Sequence, residues 1–592
     1  MATQRDILTI GVTGHRPERL GLDRLPAIDA TVAAVLDAVA TAARGVAGDV
    51  ELRVVSALAE GADCMTADLA LARGWTLDSV LPFGRDDYAA DFTRAPALSA
   101  YRARLEASRA VFELPGTRAV DSDPHAYERA GRVVLAQCDI LLAIWDRGPL
   151  QGRGGTGQIV AEAVIDDVPV ILIDPAGAGP PCLLWDGLEE HDLGQQTLET
   201  VPRSGLEDAL PRVARALIGR PAGGANPAMT QYESNAPLPR RSLALAFPLL
   251  LAVMGVRRLR WSDTRLTDQT AARTPVLRAA QAIEPMADAF AARLRDDLAP
   301  RFAKADVLAA QIGQLFRSGY VINFALAALA VALSLAGLAV PQAKPFLIVL
   351  ELSAIATILI LTRTAHRVAW HQRWLDCRHL AERLRGLALS AQLGDLGLRI
   401  GADSEPHWVT HAVRATARNL GLPSARVDDA YLAAVRAALT DLIDDQLTYL
   451  TADAHRMHRL EHRMHLIGTA LFATTALICI GFLGFEAVFK LGGGDLEGLS
   501  HRIAIAVTMA SGALPAVGAA IYGIRMQGDF AGIAERSETL AHHLAALKAV
   551  AAQDELSFDT LDRRIRRAVD LLTADLALWR QTYHARPLSL PG

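Results

Sequence analysis

The chain lacks the marks of several common classes. Its five cysteines (Cys64, Cys138, Cys182, Cys377 and Cys479) are scattered through 592 residues, and none stands in a Cys-x-x-Cys pair. That spacing offers neither a zinc site nor a disulfide framework. Basic charge is not in excess, since 60 Lys and Arg stand against 65 Asp and Glu and the formal net charge is −5. The overall basic signature of a nucleic-acid binder is therefore missing, and no nucleic-acid partner is expected. No signal-peptide pattern precedes the first strand-like run at Ile7, so the first domain is expected to fold in the cytoplasm. Apolar residues, by contrast, are abundant. They make up 51% of the chain and mean hydropathy is +0.21, which is high for a cytosolic protein and points to a membrane part. The length exceeds one ordinary core, and about three or four domains are expected.

Up to residue 175, short β-rich runs alternate with helical stretches. The runs are Ile7–Val12, Val50–Ala57, Thr76–Phe83, Asp139–Asp146 and Val168–Asp174, with helical patterns such as Leu25–Ala43 and Ala62–Arg73 between them. This alternation predicts a parallel sheet covered on both faces. Ligands on such sheets bind beyond the carboxyl ends of the strands, so the loops after each run carry the functional candidates.

After the first run comes "GVTGHRPERL". Gly14 allows a tight turn, and His15 and Arg16 follow where an anion would sit; the planar guanidinium suits a phosphate. After the second comes "EGAD", with Glu60, Gly61 and Asp63 at a strand-to-helix turn. These acids either accept from ribose hydroxyls or cap the helix. The third run ends in Phe83, a candidate to stack on a base. The fourth leads into "WDRGPLQGRGGTGQIVAEA", which supplies Asp146, Arg147, Gly154, Gly155, Thr156 and Gly157. Glycines packed this way let backbone N–H groups approach a phosphate, and the helix start beyond them adds its dipole.

Together "TGHR", "EGAD" and "WDRGPLQGRGGTG" resemble a SLOG domain, the Rossmann-like fold of the LOG phosphoribohydrolases and of nucleotide sensors in bacterial defence. The resemblance covers roughly residues 5–175. It implies no cofactor, and a ligand that is a nucleotide, an ADP-ribose-like molecule or a cyclic nucleotide signal. LOG enzymes carry Pro-Gly-Gly-x-Gly-Thr-x-x-Glu, whose Glu serves glycosidic cleavage. Aligned on Gly154, Gly155 and Gly157, the present chain has Arg153 for the Pro and Gln158 for the Thr. The Glu position falls on Ala161, and Glu162 comes one residue late. One residue turns a helix by about 100°, so Glu162 is expected to point elsewhere. Binding without hydrolysis is the expectation, with no catalytic residue assigned. The alternative is a membrane-anchored LOG-like hydrolase in which Glu60 or Asp146 supplies the carboxylate.

Residues 176–300 read as a linker and helical region, because "DPAGAGPP" and "GRPAGGANPAM" are rich in Pro and Gly. The apolar run Leu243–Val256 contains Pro248 and is too short for an easy span, so it is expected to be buried or interfacial. Four longer runs follow, at about 320–340, 346–362, 466–489 and 503–524. Each approaches the ~20 residues that cross a bilayer, and the joins "PQAKP" and "KLGGGDLEGLSHR" make each pair an antiparallel hairpin. Arg363, Arg367, Arg373, Arg378, Arg383 and Arg385 follow the second run, and Arg456, Arg459 and Arg463 precede the third. The positive-inside rule then places the middle segment and both termini in the cytoplasm, in a multi-pass protein of the inner membrane.

The hairpins look like a repeat. "RHLAERLRGLAL" (Arg378–Leu389) follows the first and "ETLAHHLAALKA" (Glu538–Ala549) the second. The pair resembles SLATT domains, two-span effector modules found with SLOG domains and thought to form pores, here in 301–395 and within 396–592. Glu351, inside the second run, is a pore candidate, since an ionisable group in lipid usually faces protein or water. The alternative for Glu351 is a helix-to-helix contact. His455, His458, His462 and His465 form one helical stripe, read as a polar face at the headgroups or an interhelix seam rather than as a metal or proton-sensing site. The chain as a whole is expected to be an α/β domain followed by a mostly α-helical part with four transmembrane helices. Function follows as a nucleotide-sensing, homo-oligomeric membrane effector, in anti-phage defence or stress signalling, that opens a pore.

Overall fold

A computed structural model describes residues 5–584 except 22, 119–122, 149–152, 188–195, 221–226, 234–243, 261–262, 264–268, 399–406 and 492–496. The N-terminal part is a Rossmann-like α/β domain. Its elements in chain order are β1 (Asp6–Gly14), α1 (Leu25–Val46), β2 (Val50–Ser56), α2 (Ala62–Ala72), β3 (Thr76–Leu81), β4 (Ala110–Glu113), α3 (Asp123–Gln137), β5 (Ile140–Ile144), α4 (Thr156–Ile165) and β6 (Val170–Ile173). All these strands pair in parallel. Ile10 of β1 pairs with Val54 on one side and Ile140 on the other. Because helices cover both faces, the strands are apolar almost throughout; β5 is buried at every position.

The sheet does not stop at residue 175. With β7 (Cys182–Leu184), β8 (Arg203–Gly205) and β9 (Ala425–Arg426), the order is β8-β7-β6-β5-β1-β2-β3-β4-β9. β7 (Cys182–Leu184) and β8 (Arg203–Gly205) continue it antiparallel. "DPAGAGPP" is therefore a hairpin connection and not a domain linker; its Pro and Gly serve the turn. α5 (Leu206–Ile218) follows and packs back on α1.

The remainder is largely helical. α6 (Ala246–Val253) buries Phe247 and Leu251 against α7 (Ala299–Ala339), so one face of the short apolar run is covered, while Leu249 and Val253 on its other face are more than half exposed. α7 turns at Pro341–Ala343 into α8 (Lys344–Arg367). α9 (Trp370–Ser390) and α10 (His407–Leu420) lead to β9 (Ala425–Arg426), a two-residue strand pairing in parallel with β4. α11 (Asp429–Leu491) is one helix of 63 residues, followed by α12 (Glu497–Gly528), α13 (Phe530–Gln553) and α14 (Phe558–His584).

The two hairpins are built alike. Each has a long helix (α7, α11), a return helix (α8, α12), a sharp break and a third helix packed on the first (α9, α13). Both breaks fall at a left-handed non-glycine residue, Ala369 (φ 51°) and Asp529 (φ 47°). Leu380 and Leu540 stand equally far beyond those breaks, and both are buried. The sequence repeat is thus a repeat of backbone geometry.

Among the described residues, five helical segments are long and apolar enough to cross a membrane. One is α1, whose apolar stripe (Ile28, Val32, Leu36, Val39) is buried in the sheet domain. The others contain α7, α8, α11 and α12, whose outer faces are uncovered: Leu466, Phe472, Leu477, Ile480, Leu483 and Val488 are all more than half exposed. Exposed apolar side chains of this kind are compatible with contact to a membrane or another protein.

Candidate functional site

The order of strands reverses between β1 and β5, which makes the crevice at their carboxyl ends the topological switch point of the sheet. The loops after these two strands meet there. His15 Nε2 lies 3.0 Å from Asp146 Oδ1. Asp146 also accepts from Arg19 Nε (2.9 Å) and Nη2 (3.2 Å), and from the Gly148 N–H (2.9 Å). Partial burial pushes Asp146 upward, but the Gly148 N–H, His15 and Arg19 outweigh it and hold the carboxyl at about 2. Asp146 is the anion that organises this turn.

The motif glycines are explained by close approach of one loop to another. A Cβ on Gly61, which has φ 112°, would come within 2.6 Å of the His15 carbonyl oxygen, and one on Gly14 within 2.3 Å of the Ala62 Cβ. The Ala62 N–H donates to His15 O at 3.2 Å. "TGHR" and "EGAD" are therefore packed backbone to backbone. Leu58 (φ 55°) and Arg147 (φ 56°) hold left-handed conformations in the loops after β2 and β5. Such backbone costs free energy and gathers at functional turns.

Arg16 is half exposed. It donates to Asp91 Oδ2 at 3.1 Å and lies over the Tyr127 ring, 5.6 Å from its centre. Asp91 also receives Tyr127 Oη–H at 2.6 Å and Arg118 Nη2 at 2.5 Å. Arg118 covers the ring of Phe83 at 4.6 Å. Phe83 is fully buried, with Tyr127 edge-on at 5.5 Å, so the ring is core and not a free stacking face; the expectation for this residue is corrected. Asp63 is also buried. Burial pushes its carboxyl up to about 7, against N–H donation from Ala59 and Ala57, the charge of Arg16 and a hydrogen bond from Ser56. It structures the β2–α2 turn. Glu60 is paired with Arg94.

The glycine loop packs on α3. A Cβ on Gly154 (φ 75°) would lie 2.6 Å from the Glu128 N. Gly154 N–H donates to Gln158 Oε1 (2.9 Å), and Gln158 Nε2 donates to Glu128 Oε1 (2.8 Å) and Glu162 Oε1 (2.9 Å). Arg132 forks onto Glu162 at 2.9 and 2.7 Å, so Glu162 faces α3. Gln158 thus ties the loop to α3. Gly155, Thr156 and Gly157 form the start of α4, with Thr156 and Gly157 buried.

Sequence reasoning missed Arg19, Asp91, Tyr127 and Glu128. Arg19 lies in the quoted "GHRPERL"; the others sit on a turn and on α3, with no periodic signal to single them out. All four histidines of the stripe are exposed: His458 Nε2 lies 3.0 Å from Glu538 Oε1 of α13 and His465 Nδ1 3.4 Å from Arg525 Nη1 of α12, while His455 bonds Thr451 O of its own helix. No metal-binding cluster is present among the described residues. Glu351 falls on the stripe of α8 that carries the buried Ala354, Ile358 and Leu361. α8 packs against α7.

Compared with known proteins, the chain matches no family model and no curated protein.

Proposed function

We propose that the protein is a SLOG-like nucleotide sensor joined to a membrane effector, with α7, α8, α11 and α12 as four spans and both termini cytoplasmic. The observation that carries the reading is the meeting of the β1 and β5 loops at the switch point. There Arg16 and Arg19 are held on carboxylates that an incoming phosphate would replace. The anion would take Arg16 from Asp91, which keeps Arg118 and Tyr127. Because Tyr127 belongs to α3, the exchange is felt along that helix. Farther along α3, Arg129 forks onto Asp559 of α14 at 2.9 and 2.7 Å, and Gln137 Nε2 donates to Gly394 O beyond α9 at 2.7 Å. Packed helices shift as units, so a movement of α3 would reach the helices that continue from the spans. In a homo-oligomer the spans would then open a pore, in a defence or stress response.

Binding without cleavage fits the position of Glu162. The second reading, a tethered hydrolase, has one observation in its favour: Glu128 lies beside the Gly154 loop. Arg132, Arg153 and Gln158 already engage both of its oxygens, which leaves it poorly placed to act as a base. Incubating the purified protein with ATP, ADP-ribose and cyclic AMP in turn, and following both binding and products, separates the readings. The sensor returns its ligand intact. Release of free base at an enzymatic rate, lost in Glu128→Gln, establishes the hydrolase.

A further inference from the structure

The two hairpins repeat each other's packing, with one exception. The long helix of each packs on its return helix, α7 on α8 and α11 on α12, and on its third helix, α7 on α9 and α11 on α13. α12 makes a further extensive contact across the hairpins, with α7. The counterpart of that contact would set α8 on α11. Among the described residues, α8 packs extensively on α7 alone. The repeat therefore has one open contact, with one half on α8 and the other on α11.

The half on α8 follows from the breaks. Residues of the two return helices correspond when they stand equally far before Ala369 and Asp529. On α12, Gly518 and Ile521 face α11: a Cβ on Gly518 would lie 3.0 Å from the Phe472 ring, and one on Gly468 of α11 would lie 4.0 Å from Ile521. Their counterparts Ile358 and Leu361 are buried, on the side of α8 that packs on α7. A different stripe of α12 faces α7, where a Cβ on Gly512 would collide with Leu335 and one on Gly523 with the Phe324 ring. Its counterpart on α8 carries Leu352, Ala356 and Ile360, which share one face and are all exposed, Leu352 at 60% and Ile360 at 66%.

The half on α11 follows from helical rotation. On α7, Asn323 bonds Thr362 of α8 at 2.9 Å and Gly337 lies beside Lys344, whereas Phe324 and Leu335 meet α12. At 100° per residue these two faces are about 130° apart. The same turn in the same sense on α11, starting from Gly468 and Phe472, leads to Leu466, Ala473, Leu477 and Gly484, all of them exposed. Cβ atoms on Gly481 and Gly484 would meet nothing within 4 Å. Small residues let helix backbones approach closely in a bilayer. Where α12 meets α7, the glycines belong to the return helix and the large side chains to the long helix. The open halves reverse this, with Leu352 and Ile360 on α8 and Ala473, Gly481 and Gly484 on α11.

We propose that α8 of one copy of the chain packs on α11 of the next, repeating between chains the contact that α12 makes with α7 within one. The contact is heterologous, and between copies that share one bilayer normal it closes into a ring of alternating first and second hairpins. This rests on the reading of the four helices as spans of a homo-oligomer, and adds the surface that joins the copies.

The pairs Asn323–Thr362 and Phe472–Gly518 set the levels of the two hairpins, and by them Ile480 of α11 is the counterpart of Leu335. Leu352, the counterpart of Gly512, should therefore lie across the joint from Ile480. Both side chains are more than half exposed in the single chain, so replacing them leaves its packing intact. The test uses full-length protein with Cys182→Ser and Cys479→Ser, which remove the native thiols that are not buried. Two differently tagged copies, one with Leu352→Cys and the other with Ile480→Cys, are co-expressed, and the membranes are oxidised with copper phenanthroline. A mixed disulfide-linked dimer is expected, severalfold above the yield of either substitution alone, and a ladder of higher multimers when one chain carries both. The mass of the unoxidised protein is measured in mild detergent alongside. An oligomeric mass without the mixed link overturns the joint and leaves the homo-oligomer standing. Links formed as well by Leu352→Cys alone or by Ile480→Cys alone also overturn it, because they mean that like helices meet. No link in membranes together with a monomeric mass overturns the joint and the homo-oligomeric reading with it.

Discussion

Arg16 and Arg418 illustrate two opposite uses of a charged side chain. Arg16 is half exposed on a carboxylate at a loop tip, so its charge is available to a ligand. Replacing it with Ala should weaken nucleotide binding by about 1.5–3 kcal/mol, the scale of a hydrogen bond to a charged group. Wild-type affinity by calorimetry would remove Arg16 from the site. Arg418, on α10, is enclosed: its guanidinium meets Asp139 Oδ1 at 2.7 Å, with both side chains almost wholly buried, and it donates to Leu217 O. Asp139 Oδ2 in turn accepts the Thr9 N–H at 2.9 Å, so this pair fastens the helical part to β1. Arg418→Met leaves a buried carboxylate without its cation and should cost about 3–5 kcal/mol. Thermal unfolding checks this, and an unchanged melting temperature would mean that the pair is not what holds the two parts together. Asp63 gives a pH signature. Its carboxyl, raised to about 7 by burial, keeps its proton in the folded chain between about pH 4 and 7. The unfolded chain loses that proton near pH 3.9. Unfolding therefore releases a proton in this window, and the Asp63 contribution to stability falls as pH rises through it. Apparent Tm should drop less between pH 5 and pH 8 in Asp63→Asn than in the wild type; identical slopes would mean that Asp63 is ionised in the fold.

At the scale of elements, the strongly patterned segments were legible in the sequence. Five of the parallel strands announce themselves as apolar runs between helical stretches, and the hairpins as paired apolar stretches with arginines beyond them. The misses have physical causes. β7 and β8 are three residues each and follow a Pro/Gly-rich turn, so local composition resembles a linker. β9 is Ala425–Arg426, two residues whose strand character comes only from pairing with Phe112 and Glu113. Phe83 was legible as a residue near the strand end and not as a core ring, because Tyr127 and Arg118, which enclose it, come from distant sequence. The unbroken course of α11, from the sheet edge through a polar half into an apolar half, was equally hidden. The hairpins also carry a topological expectation. Arginines flank the inner ends of the apolar stretches, so those ends should be cytoplasmic. Gln342, exposed in the turn between α7 and α8, should be reached as Gln342→Cys by an impermeant thiol reagent from outside intact cells, whereas Glu555→Cys, between α13 and α14, should not. The reverse pattern would invert the protein in the membrane.

At the scale of the whole molecule, the sheet and the helices share one construction. The edge strand β9 belongs to the helical part of the chain, and α11 departs three residues later and continues as a single helix into the third apolar stretch. A rigid element thus runs from the nucleotide-binding domain of our account to its membrane. α3 provides a second connection, with Tyr127 at the site and Arg129 and Gln137 on the helical part. A ligand shifts such an assembly only if it binds the active arrangement more tightly than the resting one. The exchange of Arg16 from Asp91 to a phosphate is the proposed source of that difference. Glu351, on the stripe that α8 turns toward α7, tests the path itself. If it lines the pore, Glu351→Gln should alter cation selectivity without altering nucleotide affinity; if it is a packing residue, both stay the same. The central claim is that occupation of the sheet edge opens the membrane. Its most direct measurement is cation efflux from liposomes containing the purified protein, with ATP, ADP-ribose or cyclic AMP added in turn. The account requires efflux that rises with one of these nucleotides and disappears in Arg16→Ala at the same concentration. Liposomes that stay sealed at saturating levels of every nucleotide that binds, or that leak equally in Arg16→Ala, would contradict it.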